Sequence, residues 1–281
     1  MGVKKYIKNF IKYIRTGGKW DGAPIVKVGV SYTLPNERFS GKKVLVTGGG
    51  TGIGLAITKA FIAEGADVLI VGRRATILDN VASEMNNDRL HTMVWDVADI
   101  PNIGKNFEKA EKLLGGFDVF INNAGICIDC NYLDCTEEIF DKTLDINTKA
   151  LYYLMIEQAK YCREHGAEHV VNITSITGLY ARANPYSISK WGANCVTEAF
   201  AKELIRYRTT VNAVAPGAVV TEIMDSYKGI DVAKDAYYSV NPSKRYTLVE
   251  EIAALTLFLS SGAANNITGQ IIAVDGGRSI L

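Results

Sequence analysis

From Lys43 onward the chain alternates short apolar runs with longer stretches in which apolar residues return every three or four positions. The short runs fall at Lys43–Thr47, Asp67–Val71, Leu90–Trp95, Asp118–Asn122, His169–Thr174, Thr210–Ala215 and Ile271–Asp275. Most are near-continuous hydrophobic stretches, such as VLIV and VFI, with little polar alternation, as parallel strands covered on both faces require. The stretches between them, such as IGLAITKAFIAEG, carry the 3.6-residue period of helices, and Gly65 supplies a C-terminal stop for that one. Seven strands alternating with helices predict an α/β fold built on a Rossmann-type, doubly wound, parallel seven-stranded sheet. Two segments stand outside the rhythm. Residues 1–40 form an N-terminal extension ahead of a single domain spanning 41–281. Residues 218–247 interrupt that domain between the sixth strand and a helix beginning near Leu248, and an insertion of that length reads as a lid or binding loop. Its Met224, Tyr227, Tyr237, Tyr238 and Tyr246 could cover a moderately apolar substrate.

Composition narrows the class of protein more than the fold. The chain has 281 residues, 48% of them hydrophobic and 22% charged, with a net charge of +1. That size buries a core without disulfides, and so small a charge gives no reason to expect a nucleic acid partner. No apolar run reaches the roughly 18 residues needed to span a bilayer, and the first twenty residues lack the apolar stretch of a secretory signal. Five cysteines, an odd number, suit reduced thiols in the cytoplasm. Cys127, Cys130 and Cys135 lie close in sequence, but none of the three histidines (His91, His165, His169) stands at metal-ligand spacing from them, so no metal is expected there. In the extension, Ile7, Phe10, Ile11 and Ile14 fall at i, i+3, i+4 and i+7 among Lys4, Lys5, Lys8, Lys12 and Arg15. This predicts a short basic amphipathic helix that packs on its own domain or a neighbouring subunit; four apolar residues give only marginal affinity for a membrane surface. Lys27–Leu34 reads as an extended arm.

The candidate chemistry begins at the end of the first strand, in Thr47-Gly48-Gly49-Gly50-Thr51-Gly52-Ile53-Gly54. Glycines let a backbone turn tightly and approach a pyrophosphate, while the start of the next helix offers unpaired N–H groups. The spacing is G-x3-G-x-G, which differs from the G-x-G-x-x-G fingerprint. After the second strand, Gly72 leads into Arg73 and Arg74 where a carboxylate would meet a ribose 2′-hydroxyl; arginines there suit a 2′-phosphate and favour NADP(H) over NAD(H). Further on, Tyr186 and Lys190 stand at i and i+4 on a helix opened by Pro185. They share a face about 6 Å apart along the axis, where an ammonium stabilises a phenolate.

The order of these features, with Asp96-Val97 after the third strand, Asn122-Asn123-Ala124-Gly125 after the fourth, then Asn147, Ser175, Tyr186/Lys190, Pro216-Gly217 and Asp275-Gly276-Gly277, resembles the short-chain dehydrogenase/reductase family over residues 40–278. The resemblance implies an enzyme that moves a hydride between NADP(H) and a carbonyl or secondary alcohol, with 3-oxoacyl-thioester reduction as one candidate. A sugar or polyol alcohol dehydrogenase, or a catalytically silent nucleotide sensor, are the rivals. By the same resemblance Tyr186 is the acid/base, Lys190 binds the nicotinamide ribose, Ser175 bonds the substrate oxygen, and Asn147 holds a water that relays protons from Lys190. Gly48, Thr51, Gly52, Ile53 and Gly54 would hold the pyrophosphate, Asp96 and Val97 the adenine. Asn123, Ala124 and Gly125 would line the ribose, and Pro216, Gly217, Val219 and Thr221 the nicotinamide end. Family members often form homodimers or homotetramers. Two departures are local: Thr51 stands where many NADP-dependent members carry Arg or Lys, and Ser175 lies only 11 residues before Tyr186.

Overall fold

The computed structural model describes residues 37–128, 130–221 and 229–281. The basic amphipathic helix expected within residues 1–20, the arm at Lys27–Leu34, and Met224 and Tyr227 lie outside them. Seven strands form one sheet: β1 (Lys43–Thr47), β2 (Asp67–Gly72), β3 (Leu90–Val94), β4 (Val119–Asn122), β5 (His169–Ile173), β6 (Thr210–Pro216) and β7 (Ile271–Val274). Every pairing is parallel and the order is β3-β2-β1-β4-β5-β6-β7. Strand ends differ from the sequence expectation by at most one residue. Asp118, for instance, lies just outside β4, and its carboxylate accepts the Lys43 N–H at 2.8 Å.

Helices cover both faces, as the unbroken apolar strands demand. On one face lie α1 (Gly52–Ala63), α2 (Ala75–Met85) and α7 (Val249–Leu259); on the other α3 (Ile103–Leu114), α5 (Ala150–His165) and α6 (Pro185–Leu204). Alternate residues of one strand serve the two cores: Val44 and Val46 join the α1/α7 side, Leu45 the α3/α5/α6 side, all three fully buried. The short helix α4 (Glu137–Leu144) runs through a π-turn at Asp145–Lys149 into α5 without a break. Thr136 caps α4 by accepting the Ile139 N–H, and Glu137 and Glu138 occupy its first turn.

The topology reverses between β1 and β4, which are paired with Thr47 opposite Asn122. Strands on either side of such a point lead their connections to opposite faces, leaving a crevice at the carboxyl ends. The chain enters at the far end of α1, where Phe39 packs edge-on against Phe61 (centroids 4.9 Å) and Arg38 pairs with the buried Glu64 carboxylate at 3.2 Å. Among the described residues no helix is long and apolar enough to cross a membrane.

Candidate active site

A cavity of about 730 Å³ occupies that crevice and is lined by every site residue expected from the sequence except Asn147. Its floor at the reversal point is a glycine turn that tolerates no side chain. A Cβ on Gly54 would collide with Gly48 O and the Asn123 amide, and Gly48 itself has φ +65°. The side chains around the turn hold it rather than fill it. Thr47 Oγ1 accepts N–H bonds from Asn123 and Ala124, both at 3.0 Å, while Asn123 Nδ2 donates to Thr47 O and Gly48 O at 3.1 and 3.0 Å. Helix α1 starts here with Thr51 as an N-cap whose side chain makes no capping bond, and its first turn carries no acid. Uncapped N–H groups and a positive helix end therefore face the cavity, a chemistry that fits a pyrophosphate. Arg73 and Arg74, exposed at the start of α2, line the cavity beside it, and neither forms an ion pair within the described residues. Asp96 stands exposed after β3 and Val97 is buried.

The reacting end is built where β5 meets α6. Asn184 caps α6 by accepting the Ser187 N–H at 2.8 Å, and Pro185 opens the first turn, so Tyr186 is presented at the helix start. One turn on, Lys190 is buried, with Nζ 5.6 Å from the Tyr186 ring centroid and donating to Ile173 O at 3.2 Å. Burial lowers its pKa to about 8, against a smaller opposing effect from Cys127. Ser175, just past β5, has its Oγ accepting from both Thr177 N (3.2 Å) and Thr177 Oγ1 (3.1 Å). With its lone pairs taken, its own proton is left to donate into the cavity.

Asn147 lies behind this group. Its side chain makes three bonds: Oδ1 accepts from Ile126 N at 2.8 Å, and Nδ2 donates to Ile126 O at 2.9 Å and Ser189 Oγ at 3.0 Å. It clamps the segment after Gly125 to α6. A Cβ on Gly125 would come within 3.1 Å of Asn147 Oδ1 and 3.6 Å of Lys190 Nζ, so the three converge. The residue sits in the π-turn, a geometry that releases a backbone carbonyl from the helical ladder.

Other walls were not anticipated. Ile126, Cys127, Thr177, Tyr180, Arg182, Asn184 and Arg278 line the cavity, as does Lys142 of α4. From the long interruption, the expected Val219, Thr221 and Tyr238 line it, together with Ala218 and Asn241. Tyr246 instead lies buried beneath, stacked on Tyr238 at 4.5 Å, and Tyr237 forms a bridge to Arg245. Arg245 holds Glu251 of α7 through two bonds of 2.7 and 2.8 Å, and this partner keeps the Glu251 carboxyl below its ordinary pKa. Among the described residues no three His, Cys, Asp or Glu side chains are grouped to hold a metal.

Comparison with known proteins gives a consistent picture. Residues 48–279 match the family model described as enoyl-(acyl carrier protein) reductase. The chain is 33% identical over 247 residues to a 3-oxoacyl-acyl-carrier-protein reductase of Thermotoga maritima, covering 86% of this chain and all of that one. It is 33% identical over 262 residues to levodione reductase of Leifsonia aquatica, covering 87% and 97%. Among solved structures, levodione reductase superposes with a TM-score of 0.79 at 31% identity, covering 86% of this chain and 99% of that one. A putative gluconate dehydrogenase from Agrobacterium tumefaciens gives 0.80 at 27% identity, covering 88% and 100%.

Proposed function

The chain belongs to the short-chain dehydrogenase/reductase family and is an NAD(P)-dependent oxidoreductase of ketones and alcohols, and from that premise we propose that it is an NADP(H)-dependent ketone reductase with Tyr186 as its acid/base. The observation that carries this reading is the meeting of Ser175, Tyr186 and Lys190 at one end of a cavity whose other end is a glycine cradle flanked by Arg73 and Arg74. The bound nicotinamide supplies the hydride, or accepts it in oxidation. The chain's residues do the rest. The cradle and the α1 N-terminus hold the pyrophosphate, Arg73 with Arg74 the 2′-phosphate, and Lys190 the ribose next to the nicotinamide. Ser175 donates its proton as a hydrogen bond to the substrate oxygen, where negative charge builds as the carbonyl is reduced. Tyr186 transfers its phenolic proton to that oxygen, completing the alcohol, and the Lys190 ammonium stabilises the phenolate left behind. Reprotonation runs past Lys190 toward Asn147. The Asn147 side chain clamps Ile126 to Ser189, and the residue holds the relay water beside Lys190.

Within the described part of the 218–247 segment, Tyr238 is the aromatic contact to the substrate. We place the enzyme in the cytoplasm as a homo-oligomer. A 3-oxoacyl thioester, the substrate type in the name of the Thermotoga relative, heads the candidates. Nicotinamide absorbance with a panel of ketones and alcohols and both cofactors tests the reading. Turnover is expected with NADPH and a ketone. Turnover with NADH alone would overturn the cofactor assignment, and no turnover in either direction would overturn the catalytic one.

A further inference from the structure

Six cationic side chains line the cavity, Arg73, Arg74, Lys142, Arg182, Lys190 and Arg278, against one carboxylate, Asp96. Arg73, Arg74 and Asp96 stand at the nucleotide end, and Lys190 lies behind Tyr186. The other three serve nothing so far described. They come from separate parts of the chain: Lys142 from α4, Arg182 from the loop between Ser175 and Tyr186, and Arg278 from the turn after β7. None of them makes an ion pair with a described residue.

Arg182 and Arg278 are held in place by neutral neighbours. The Arg182 guanidinium lies over the Tyr180 ring, 5.3 Å from its centroid, and Trp191 Nε1 donates to Tyr180 O at 3.4 Å. Arg278 Nη1 donates to Val240 O at 3.2 Å, between the lining residues Tyr238 and Asn241, and its other donors remain available. Lys142 does not compensate a helix terminus, because α4 continues through the π-turn into α5. Like charges gathered in a concave site, with no counter-ion on these three among the described residues, raise the local potential, and an incoming anion lowers it.

We propose that the substrate is an anion: a carbonyl compound bearing a carboxylate or phosphate, bound by Arg182, with Arg278 and Lys142 completing the positive field. A guanidinium suits either group because its parallel donors match two oxygens at once. Arg182 belongs to the loop that joins Ser175 to Tyr186, so it stands on the reacting side of the cavity and sets which carbonyl compounds are accepted. The proposal rests on the oxidoreductase reading above.

Matched compounds test it. Acetoacetate and levulinate are compared with their methyl esters, and acetoacetyl-CoA serves as the phosphate-bearing arm, in kcat/KM at low ionic strength. One of the charged forms is expected to exceed the esters by at least about tenfold, about 1.4 kcal/mol, with the ratio shrinking as salt rises. Arg182→Gln should bring the ratio toward one and Arg182→Lys should restore part of it. Preference for the free acids assigns a carboxylate, and preference for the CoA thioester assigns phosphate. Esters used as well as the charged forms, or a ratio indifferent to Arg182→Gln, would overturn the proposal while leaving the reductase in place. If no carbonyl compound is turned over, the oxidoreductase reading falls. The anion site is then decided by calorimetry of the whole protein with malonate and with neutral malonamide. Malonate binding lost in Arg182→Gln supports the site, and its absence from the unaltered protein refutes it.

Discussion

Lys190 carries an ammonium into a place from which water is excluded, and this sets a cost that the rest of the fold must offset. Its pKa falls from 10.5 to about 8, which at neutral pH corresponds to about 3 kcal/mol of lost stability in the cofactor-free protein. The sign follows from proton counts. Between pH 8 and 10.5 the unfolded chain holds the proton and the folded one does not, so stability rises with pH across that window and the cost is full below it. Lys190→Met, which keeps the length without the charge, should therefore raise the urea midpoint at pH 7 while abolishing turnover. The gain should fade between pH 8 and 10.5, and a variant less stable than the parent at pH 7 would contradict it. Tyr186→Phe removes one hydroxyl and leaves the ring. Its kcat should drop by roughly 10²–10⁴-fold, with NADPH affinity unchanged in a fluorescence titration. Arg73→Ala acts at the other end. NADPH should bind the parent at least about tenfold more tightly than NADH, and the variant should lose most of that difference.

Between the residues and the fold lies the short turn Ile176–Gly178, which sets where Ser175 points. It is pinned to α6 by Ser187 Oγ donating to Thr177 O at 2.6 Å and Asn194 Nδ2 donating to Gly178 O at 3.0 Å. A Cβ on Gly178 would sit 2.7 Å from Lys190 O. Thr177→Val keeps the shape and removes one donor to Ser175 Oγ, so kcat should fall about tenfold or less with cofactor affinity intact. Asn184→Ala removes the α6 cap and should cost about 1 kcal/mol of stability in chemical denaturation. The strands around this turn were legible because burial on both faces leaves no polar alternation to confuse them. The glycine cradle and the Tyr186/Lys190 pair were legible because each is a local pattern with a local cause. Lys142, Arg182 and Arg278 were not, since only the crossings of the sheet bring them to one cavity and nothing near each in sequence marks it. The π-turn was hidden for a different reason. The segment Asp145–Lys149 continues the helical pattern of its flanks, and Asn147 carried no sign that its amide would be consumed by Ile126 and Ser189.

At the scale of the whole molecule, the described residues include a group of exposed apolar side chains. Phe140, Tyr152, Tyr153, Ile188 and Trp191, on α4, α5 and α6, are all more than a third exposed, and a patch of that kind is usually covered by another chain. Sedimentation should show a dimer or tetramer, and Tyr152→Glu with Trp191→Glu should shift it toward monomer; a monomeric parent would refute the homo-oligomer. The other side of the sheet is closed from within, by α7 packing against α1 in one core. These helices are far apart in the order of synthesis: α1 ends at Ala63 and α7 begins at Val249. At ribosomal speeds the nucleotide-binding helix waits roughly 10–40 s for the partner that covers its outer side. Throughout that interval the nascent chain exposes apolar surface, so it is then that chaperones and proteases find it.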